Sequence, residues 1–169
     1  MGDQTIQPTP ASPEIIAFAT RMYDAARLGD VPIFEQALPA GLPPNMTNDK
    51  GDSLLMLSTY HGHAPLSRLL LSHGADPNRL NDRGQSPLAG AVFKDEKEIV
   101  DILLEAGANV DLGHPSAWET VELFKKTEEY GEKFSRQGEK LKSAKGGAGE
   151  GEPQAKGGIG GTKGAGQMI

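Results

Sequence analysis

Residues 50–82 read KGDSLLMLSTYHGHAPLSRLLLSHGADPNRLND, and residues 83–115 read RGQSPLAGAVFKDEKEIVDILLEAGANVDLGHP, so that one pattern occurs twice in succession. After a shift of 33 positions the glycines coincide, for example Gly74 with Gly107. A fixed period in this range, with helix-forming and turn-forming residues in phase, is typical of stacked repeat proteins. Such repeats build surfaces, and the pattern therefore favours binding over catalysis.

Each copy contains the signals for two short helices and a turn. Ser86-Pro87 predicts a helix start, because Ser can cap a free backbone N–H and Pro at the first helical position has none to lose. A second helix with a wider apolar face follows, and Gly107 ends it, since glycine readily adopts the left-handed conformation just past a helix. Residues 81–84, NDRG, are turn-forming and predict a projecting finger before the next helix.

Helix, tight turn, antiparallel helix and finger within 33 residues together resemble the ankyrin repeat. GQSPLA at 84–89 matches the family's G-x-T-P-L-H, Gly62-His63 matches its Gly-His turn, and LLSHGADPN at 70–78 matches its LL-x-x-G-A-x-x-N. One departure is Asp95, which stands where this turn is expected to carry glycine. The resemblance implies an all-α ankyrin-repeat solenoid of stacked helix-turn-helix units with short hairpin-like fingers.

The same period predicts the organisation of the chain. A shift of −33 reveals a degenerate first repeat, whose longer first helix begins at Ser12-Pro13. A shift of +33 places Val121 under Leu88 in a terminal helix that closes the stack. The predicted parts are a flexible N-terminus (1–12), an ankyrin repeat domain (13–134) with three repeats (about 17–49, 50–82 and 83–115) and one closing helix (116–134), and a disordered Gly/Lys-rich tail (135–169).

Composition and charge restrict the class of function. The net charge is −6, and residues 136–169 carry six Lys/Arg against three Asp/Glu, so residues 1–135 carry −9. A body this acidic repels a phosphate backbone, which disfavours nucleic acid as a partner. The chain contains no cysteine, secretory signal or apolar run approaching ~20 residues. We expect a soluble monomer in the cytoplasm, with the nucleus as a second compartment and no membrane association.

The residues that could bind a metal ion or act in catalysis are better explained by structural roles. His61 and His63, with His73 nearby, lack a thiolate or carboxylate set, and positions two apart on a helix point to different sides. The many carboxylates lie at turns, where acids serve as caps, rather than in a predicted cleft. Trp118 is favoured as a residue that fills the last groove between helices. The sequence therefore predicts no enzyme, no cofactor and no metal site.

The resemblance also implies where a partner protein binds, since ankyrin repeats form a concave side from finger tips and the exposed side of each first helix. Tyr60 and Phe93 are the informative members, because exposed aromatic side chains ringed by charge are typical of interface hot spots. The alternative is that both rings lie flat and cover the helix below. The predicted protein-binding residues are Arg27, Leu28, Tyr60, His61, Phe93 and Lys94 on helices, and Asp49, Lys50, Asp52, Asp82, Arg83 and Gln85 on fingers.

Two functions of different class follow from these observations. The first is a non-catalytic adaptor that binds another protein through the concave ankyrin surface. The alternative is a small chaperone or assembly factor that shields a basic client such as a ribosomal protein, with which the −9 body is compatible. The identity of the partner does not follow from the residues, because members of a repeat family share a scaffold and differ in ligand.

Overall fold

The protein is described by a computed structural model over residues 11–146, and within this range all regular secondary structure is helical. Two isolated β-bridges, Thr47 with Ser53 and Gly113 with Ser116, lie at the bases of fingers. The helices are α1 (Pro13–Leu28), α2 (Val31–Ala37), α3 (Leu54–Tyr60), α4 (Ala64–Ser72), α5 (Pro87–Lys94), α6 (Lys97–Glu105), α7 (Ala117–Leu123) and α8 (Thr127–Gly146). The predicted all-α solenoid is confirmed.

The helices form two layers with the core between them. The first helices of successive units, α1, α3, α5 and α7, contact each other in order, and α2, α4 and α6 do the same in the second layer. Leu55, Leu66, Leu88 and Leu103 are fully buried between the layers. Burial of such side chains contributes about 1.5–3 kcal/mol each, so the stack is stabilised chiefly by contacts between neighbouring units.

Serine begins every first helix. The Oγ atoms of Ser53, Ser86 and Ser116 each accept a hydrogen bond from the backbone N–H three residues ahead, at 3.1 Å. Ser12 makes the same bond at 3.4 Å, directly before Pro13. Both helix starts predicted from Ser-Pro pairs are confirmed, because capping depends on residues that are adjacent in sequence.

The turn after each first helix requires a left-handed residue. Gly29, Gly62, Asp95 and Lys125 occupy this position, with φ values of 71°, 80°, 63° and 56°. The turn therefore keeps its backbone geometry where the repeat pattern departs from glycine at Asp95. Asp is among the non-glycine residues that best tolerate this conformation.

The segments between units form three fingers: finger 1 (38–53), finger 2 (73–86) and finger 3 (106–116). Asn45 in finger 1 donates from Nδ2 to the Gly74 carbonyl at 3.1 Å and accepts from the Asp76 N–H at 2.7 Å. Asn78 repeats both bonds one unit further along the stack, at 3.2 and 2.7 Å. One asparagine per unit thus ties each finger to the base of the next.

The closing segment differs from the single helix predicted at 116–134, because α7 and α8 form a helix pair around Lys125. α8 also continues to Gly146, beyond the domain boundary predicted at 134. Gln137 is buried there, and its Nε2 donates to the Ala108 carbonyl at 3.2 Å, which secures the helix to finger 3. Residues 1–10 and 147–169 of the predicted flexible ends lie outside the described range.

The alignment of the closing segment also needs correction. Ser116 caps α7 as Ser86 caps α5, so the shift between these units is 30 positions and not 33. Val121 therefore occupies the position of Ala91, whereas the sequence alignment placed it under Leu88. The physical reason is that finger 3 is three residues shorter than finger 2.

Candidate protein-binding groove

A groove of about 510 Å³ runs along the concave side, between the fingers and the first helices. Its floor is formed by α3, α5 and α7, one rim by fingers 1 and 2, and the other rim by exposed apolar side chains at the ends of the first helices. These parts consist mainly of Met56, Leu57, Ala89, Gly90 and Thr120 on the floor, Lys50, Asp52, Arg83 and Gln85 on the finger rim, and Tyr60, Phe93, Leu123 and Phe124 on the helix rim.

Gly90 gives the floor its depth. It stands at the position taken by Leu57 in α3 and Thr120 in α7, each four residues after the capping serine. A Cβ atom at residue 90 would lie 3.6 Å from Cδ2 of Tyr60, which is ordinary van der Waals contact. Gly90 is a helix residue without positive φ. Its glycine is therefore not required by the backbone, and its effect is the space beside Tyr60.

Tyr60 and Phe93, which occupy equivalent positions in α3 and α5, are partly exposed above this floor. Tyr60 is 42% exposed and Phe93 is 54% exposed. Phe93 packs against Phe124 in an edge-on arrangement, with ring centroids 5.5 Å apart. Both rings are supported from the side and present the remaining area to solvent, which is the geometry that an apolar side chain of a partner could use.

Positive charge lies next to these rings. Lys94 places its Nζ 5.1 Å from the centroid of the Tyr60 ring, within the range of a cation–π interaction. His61 packs edge-on against Tyr60 at 5.5 Å. Partial burial, together with the positive charges of His63, Arg27 and Lys94, lowers the pKa of His61 below its ordinary value. Because a lowered pKa favours the neutral imidazole, the positive charge beside the Tyr60 ring is that of Lys94.

On the finger rim, Asn81 forms hydrogen bonds that hold two neighbouring side chains in place. Its Nδ2 donates to Oδ1 of Asp52 at 2.9 Å and to Oε1 of Gln85 at 3.1 Å. The other carboxylate oxygen of Asp52 accepts from Nδ2 of Asn48 at 3.3 Å. Asp52 therefore joins fingers 1 and 2, and much of its hydrogen-bonding capacity is used within the protein.

Lys50 and Arg83 project from the same rim. Their backbones are held, since the Lys50 carbonyl accepts from the Asp82 N–H at 3.1 Å and the Arg83 N–H donates to Asn81 at 3.1 Å. Their charged groups take part in no ion pair among residues 11–146. Both side chains are exposed, and their charges are available to a ligand.

The structure brings half of the predicted binding residues together at the groove and leaves the others around it. The lining members are Lys50, Asp52, Tyr60, Arg83, Gln85 and Phe93. His61 and Lys94 lie beside them at the helix ends, Asp49 and Asp82 lie on the exposed finger tips, and Arg27 and Leu28 lie at the end of α1. Arg27 forms an exposed ion pair with Asp24 at 2.7 Å.

Sequence reasoning missed the floor of the groove and, on the helix rim, two exposed apolar residues. Leu123 is 70% exposed and Phe124 is 45% exposed. At the end of α7 they occupy the positions that Phe93 and Lys94 hold at the end of α5, 30 residues earlier. The shift of 33 misplaced them. The signal that identifies their position is the capping box of Ser116 with Glu119, in which each side chain bonds to the other residue's backbone N–H.

His63 and Trp118, which the sequence singled out, make contacts within the protein. Residues 11–146 hold no group of three or more His, Asp or Glu side chains arranged for a metal ion. His63 Nε2 lies 2.7 Å from the Arg27 carbonyl, and it joins the first two units. Trp118 packs against Phe134 with ring centroids 6.0 Å apart, as expected for a residue that fills a groove. No helix within this range is long and apolar enough to cross a bilayer.

A two-layered helical solenoid with projecting fingers defines a helical repeat protein. Comparison with known proteins agrees with this class. Residues 22–113 match the model of the ankyrin repeat family in three copies, and the chain belongs to that family.

Two relatives illustrate the similarity. A protein of Pseudomonas aeruginosa, whose name describes it as an ankyrin repeat protein, is 55% identical over 51 residues, which are 30% of this chain and 30% of that protein. The crystal structure of the human ASB11 ankyrin repeat domain aligns with a TM-score of 0.50 at 26% identity, covering 59% of this chain and 42% of that one. The match thus spans less than half the length of either relative.

Proposed function

We propose that this protein is a non-catalytic adaptor that binds a partner protein through the concave groove. Ankyrin repeats are generally protein–protein interaction modules, and the chain belongs to that family. The observation that carries the proposal is the pair of exposed rings, Tyr60 and Phe93, which line the same groove as Gly90.

The energetic argument concerns exposed apolar area. Removing apolar surface from water is worth about 25 cal/mol per Å², and an aromatic side chain held in place loses little conformational entropy when it is buried. Phe93, Leu123 and Phe124 together form an apolar area on the helix rim, and the opposite rim on the fingers is polar. A central apolar area with a polar rim is the composition of protein interfaces.

We further propose that the protein acts as a monomer in the cytoplasm, with the nucleus as a second compartment. The absence of cysteine is compatible with a reducing environment. At the C-terminal end of the stack, Tyr130 and Phe134 of α8 are fully buried, so that this end of the core is covered within one chain. Sedimentation equilibrium of the full chain tests the oligomeric state, and a stable dimer would contradict it.

The test of the adaptor function is the double variant Tyr60→Ala with Phe93→Ala. We expect affinity capture from native lysate to lose the partner proteins that the unaltered chain retains. The melting temperature should change little, because both rings lie outside the fully buried core. Phe18→Ala is the matched control, since Phe18 is an exposed aromatic residue of α1 that does not line this groove.

Two outcomes would contradict the proposal. In the first, the double variant captures the same partner proteins as the unaltered chain. In the second, it melts as low as a core variant such as Leu70→Ala, which would mean that the rings support the helices below them.

A further inference from the structure

We propose that the partner segment that enters the groove is acidic as well as apolar, a stretch of chain in which Asp or Glu lies beside Leu, Phe or Trp. This inference rests on the proposed function and specifies the chemistry of the ligand. It is carried by the charged residues that line the groove, whose sum of +1 is opposite in sign to the −9 charge of residues 1–135.

The first observation is the set of charged residues that line the groove, which are Lys50, Asp52 and Arg83. Asp52 accepts hydrogen bonds from the side chains of Asn81 and Asn48, and its carboxylate is engaged within the fingers. Lys50 and Arg83 form no ion pair in the described range. Of the three charges that line the groove on this rim, two are positive and one, that of Asp52, is negative, which leaves the lining with a net charge of +1. Asp49 and Asp82 are exposed on the finger tips and do not line the groove.

The second observation is the opposite rim. Lys94 lies over the Tyr60 ring and has no carboxylate partner among residues 11–146. His61 packs on the same ring. The nearby Asp95 is already paired with Lys126 at 2.6 Å. A ligand that spans the groove thus meets unneutralised cations at the fingers and again beside the aromatic rings.

The third observation is the space between the two rims. The groove has a volume of about 510 Å³. Sites that bind small molecules measure roughly 300–1,000 Å³, so the groove has room for a large side chain. The small residues Ala89 and Gly90 line the groove together with Tyr60 and Phe93, and a Cβ at residue 90 would meet only Tyr60. An apolar side chain of a partner can enter there, while carboxylates on either side of it reach the cations of the rims.

Long-range repulsion by the acidic body does not prevent this. At physiological ionic strength the Debye length is about 8 Å, so charges farther from the ligand than this are largely screened. Groups in direct contact are screened less, and Lys50, Arg83 and Lys94 are the groups that a bound segment contacts. The acidic body in turn selects against weak, nonspecific binding of other acidic chains.

The experiment is a selection of displayed random peptides on the full chain. We expect the enriched peptides to combine Asp or Glu with Leu, Phe or Trp. The most enriched peptide is then synthesised together with a charge-inverted copy, in which Lys replaces each acidic residue. Fluorescence anisotropy should show that the acidic peptide binds at least about tenfold more tightly than its inverted copy.

Variants of the chain locate the binding. Lys50→Glu with Arg83→Glu should weaken binding of the acidic peptide about tenfold or more. Arg79→Glu is the matched control, because Arg79 is an exposed cation of finger 2 that does not line the groove, and binding should stay within about twofold. Gly90→Leu should abolish binding by filling the space beside Tyr60. Gly90→Ala should retain the fold with a raised melting temperature, since its Cβ meets only ordinary contact.

The results separate failure of this inference from failure of the proposed function. Enriched peptides that require the groove but are basic or uncharged would overturn the acidic specificity alone, and basic ones would favour a basic client. Peptides that bind Gly90→Leu as well as the unaltered chain would place binding elsewhere and contradict the proposed function. A selection without any enriched peptide counts against both.

Discussion

Asp95 shows how a single side chain can replace the glycine of a repeat turn. Its left-handed φ of 63° costs a non-glycine residue about 1–2 kcal/mol. Its carboxylate accepts hydrogen bonds from Lys126 Nζ at 2.6 Å and from Tyr130 Oη at 3.3 Å, both on or next to α8. The hydrogen bond from Lys126 and the charge of that residue lower the pKa of Asp95 below its ordinary value of 3.8. The strained residue thus links the third unit to the closing helix pair.

This link predicts a pH-dependent contribution to stability. Because the folded-state pKa is lowered, the stabilisation is present above pH 3.8 and is lost as the pH falls through the folded-state value. Asp95→Asn tolerates the same backbone conformation but lacks the charge. We expect the variant to melt lower than the unaltered chain near neutral pH, and the difference between the two melting temperatures to shrink as the pH falls below 3.8.

The control is a thermodynamic cycle with Lys126→Met. Adding this change to Asp95→Asn should cost less than it costs in the unaltered chain, because the partner is already absent. Additive effects of the two changes, or a difference in melting temperature that stays constant with pH, would contradict the role assigned to the pair.

At the scale of the element, α8 takes the place that α4 and α6 hold in the preceding units, and it covers the last of the core. Tyr130 and Phe134 are fully buried, with ring centroids 5.9 Å apart. Ion pairs from Lys97 to Glu129 at 2.6 Å and from Lys133 to Asp101 at 2.5 Å join α8 to α6. These pairs are exposed and contribute little each, so the buried aromatic side chains are the main attachment.

The length of α8 can be tested by truncation. We expect the free energy of unfolding of a chain that ends at residue 134 to be about 1–3 kcal/mol lower than that of a chain that ends at 146. The shorter chain loses Gln137 and leaves the buried Ala108 carbonyl without its partner. It also places Phe134 in a helix end that frays, because the following turn is missing.

Urea denaturation of the full chain and both truncations provides the measurement. The chain that ends at 146 is the control and should unfold with the full chain, since residues 147–169 carry few large apolar side chains. If the chain that ends at 134 unfolded at the same urea concentration as the other two, residues 135–146 would contribute nothing to stability. The domain boundary predicted at residue 134 would then be correct.

At the scale of the whole molecule, the extensive contacts between helices join neighbours in the stack. A change in a middle unit should therefore weaken both flanks, whereas a change at one end should weaken that end most. Leu70 of α4 and Phe134 of α8 are both fully buried and provide the comparison.

Leu70→Ala and Phe134→Ala should each lower the free energy of unfolding by about 2–5 kcal/mol. With native-state hydrogen exchange, Leu70→Ala should accelerate exchange in α1–α2 and in α5–α6. Phe134→Ala should accelerate it in α5–α8 and much less in α1–α2. Equal acceleration along the whole chain in both variants would indicate a single cooperative unit and contradict the nearest-neighbour behaviour.

The sequence alone determined the features that depend on neighbouring residues. The period of 33, the serine caps and the glycine turns could be predicted, because each arises from interactions among residues a few positions apart. The concave position of Tyr60 and Phe93 was what the resemblance to the ankyrin repeat implied, and the period transferred it to these residue numbers. Their part in binding stays a prediction.

Only the tertiary structure decided the features that depend on distant residues. The shortened finger 3 moves Leu123 and Phe124 onto the groove, and the extent of α8 depends on the bond from Gln137 to Ala108, 29 positions apart. The electrostatics of the groove depend on which charges are paired across units, as Asp95 is with Lys126. Local sequence signals carry no information about such pairings, because the partners meet only when the units are stacked.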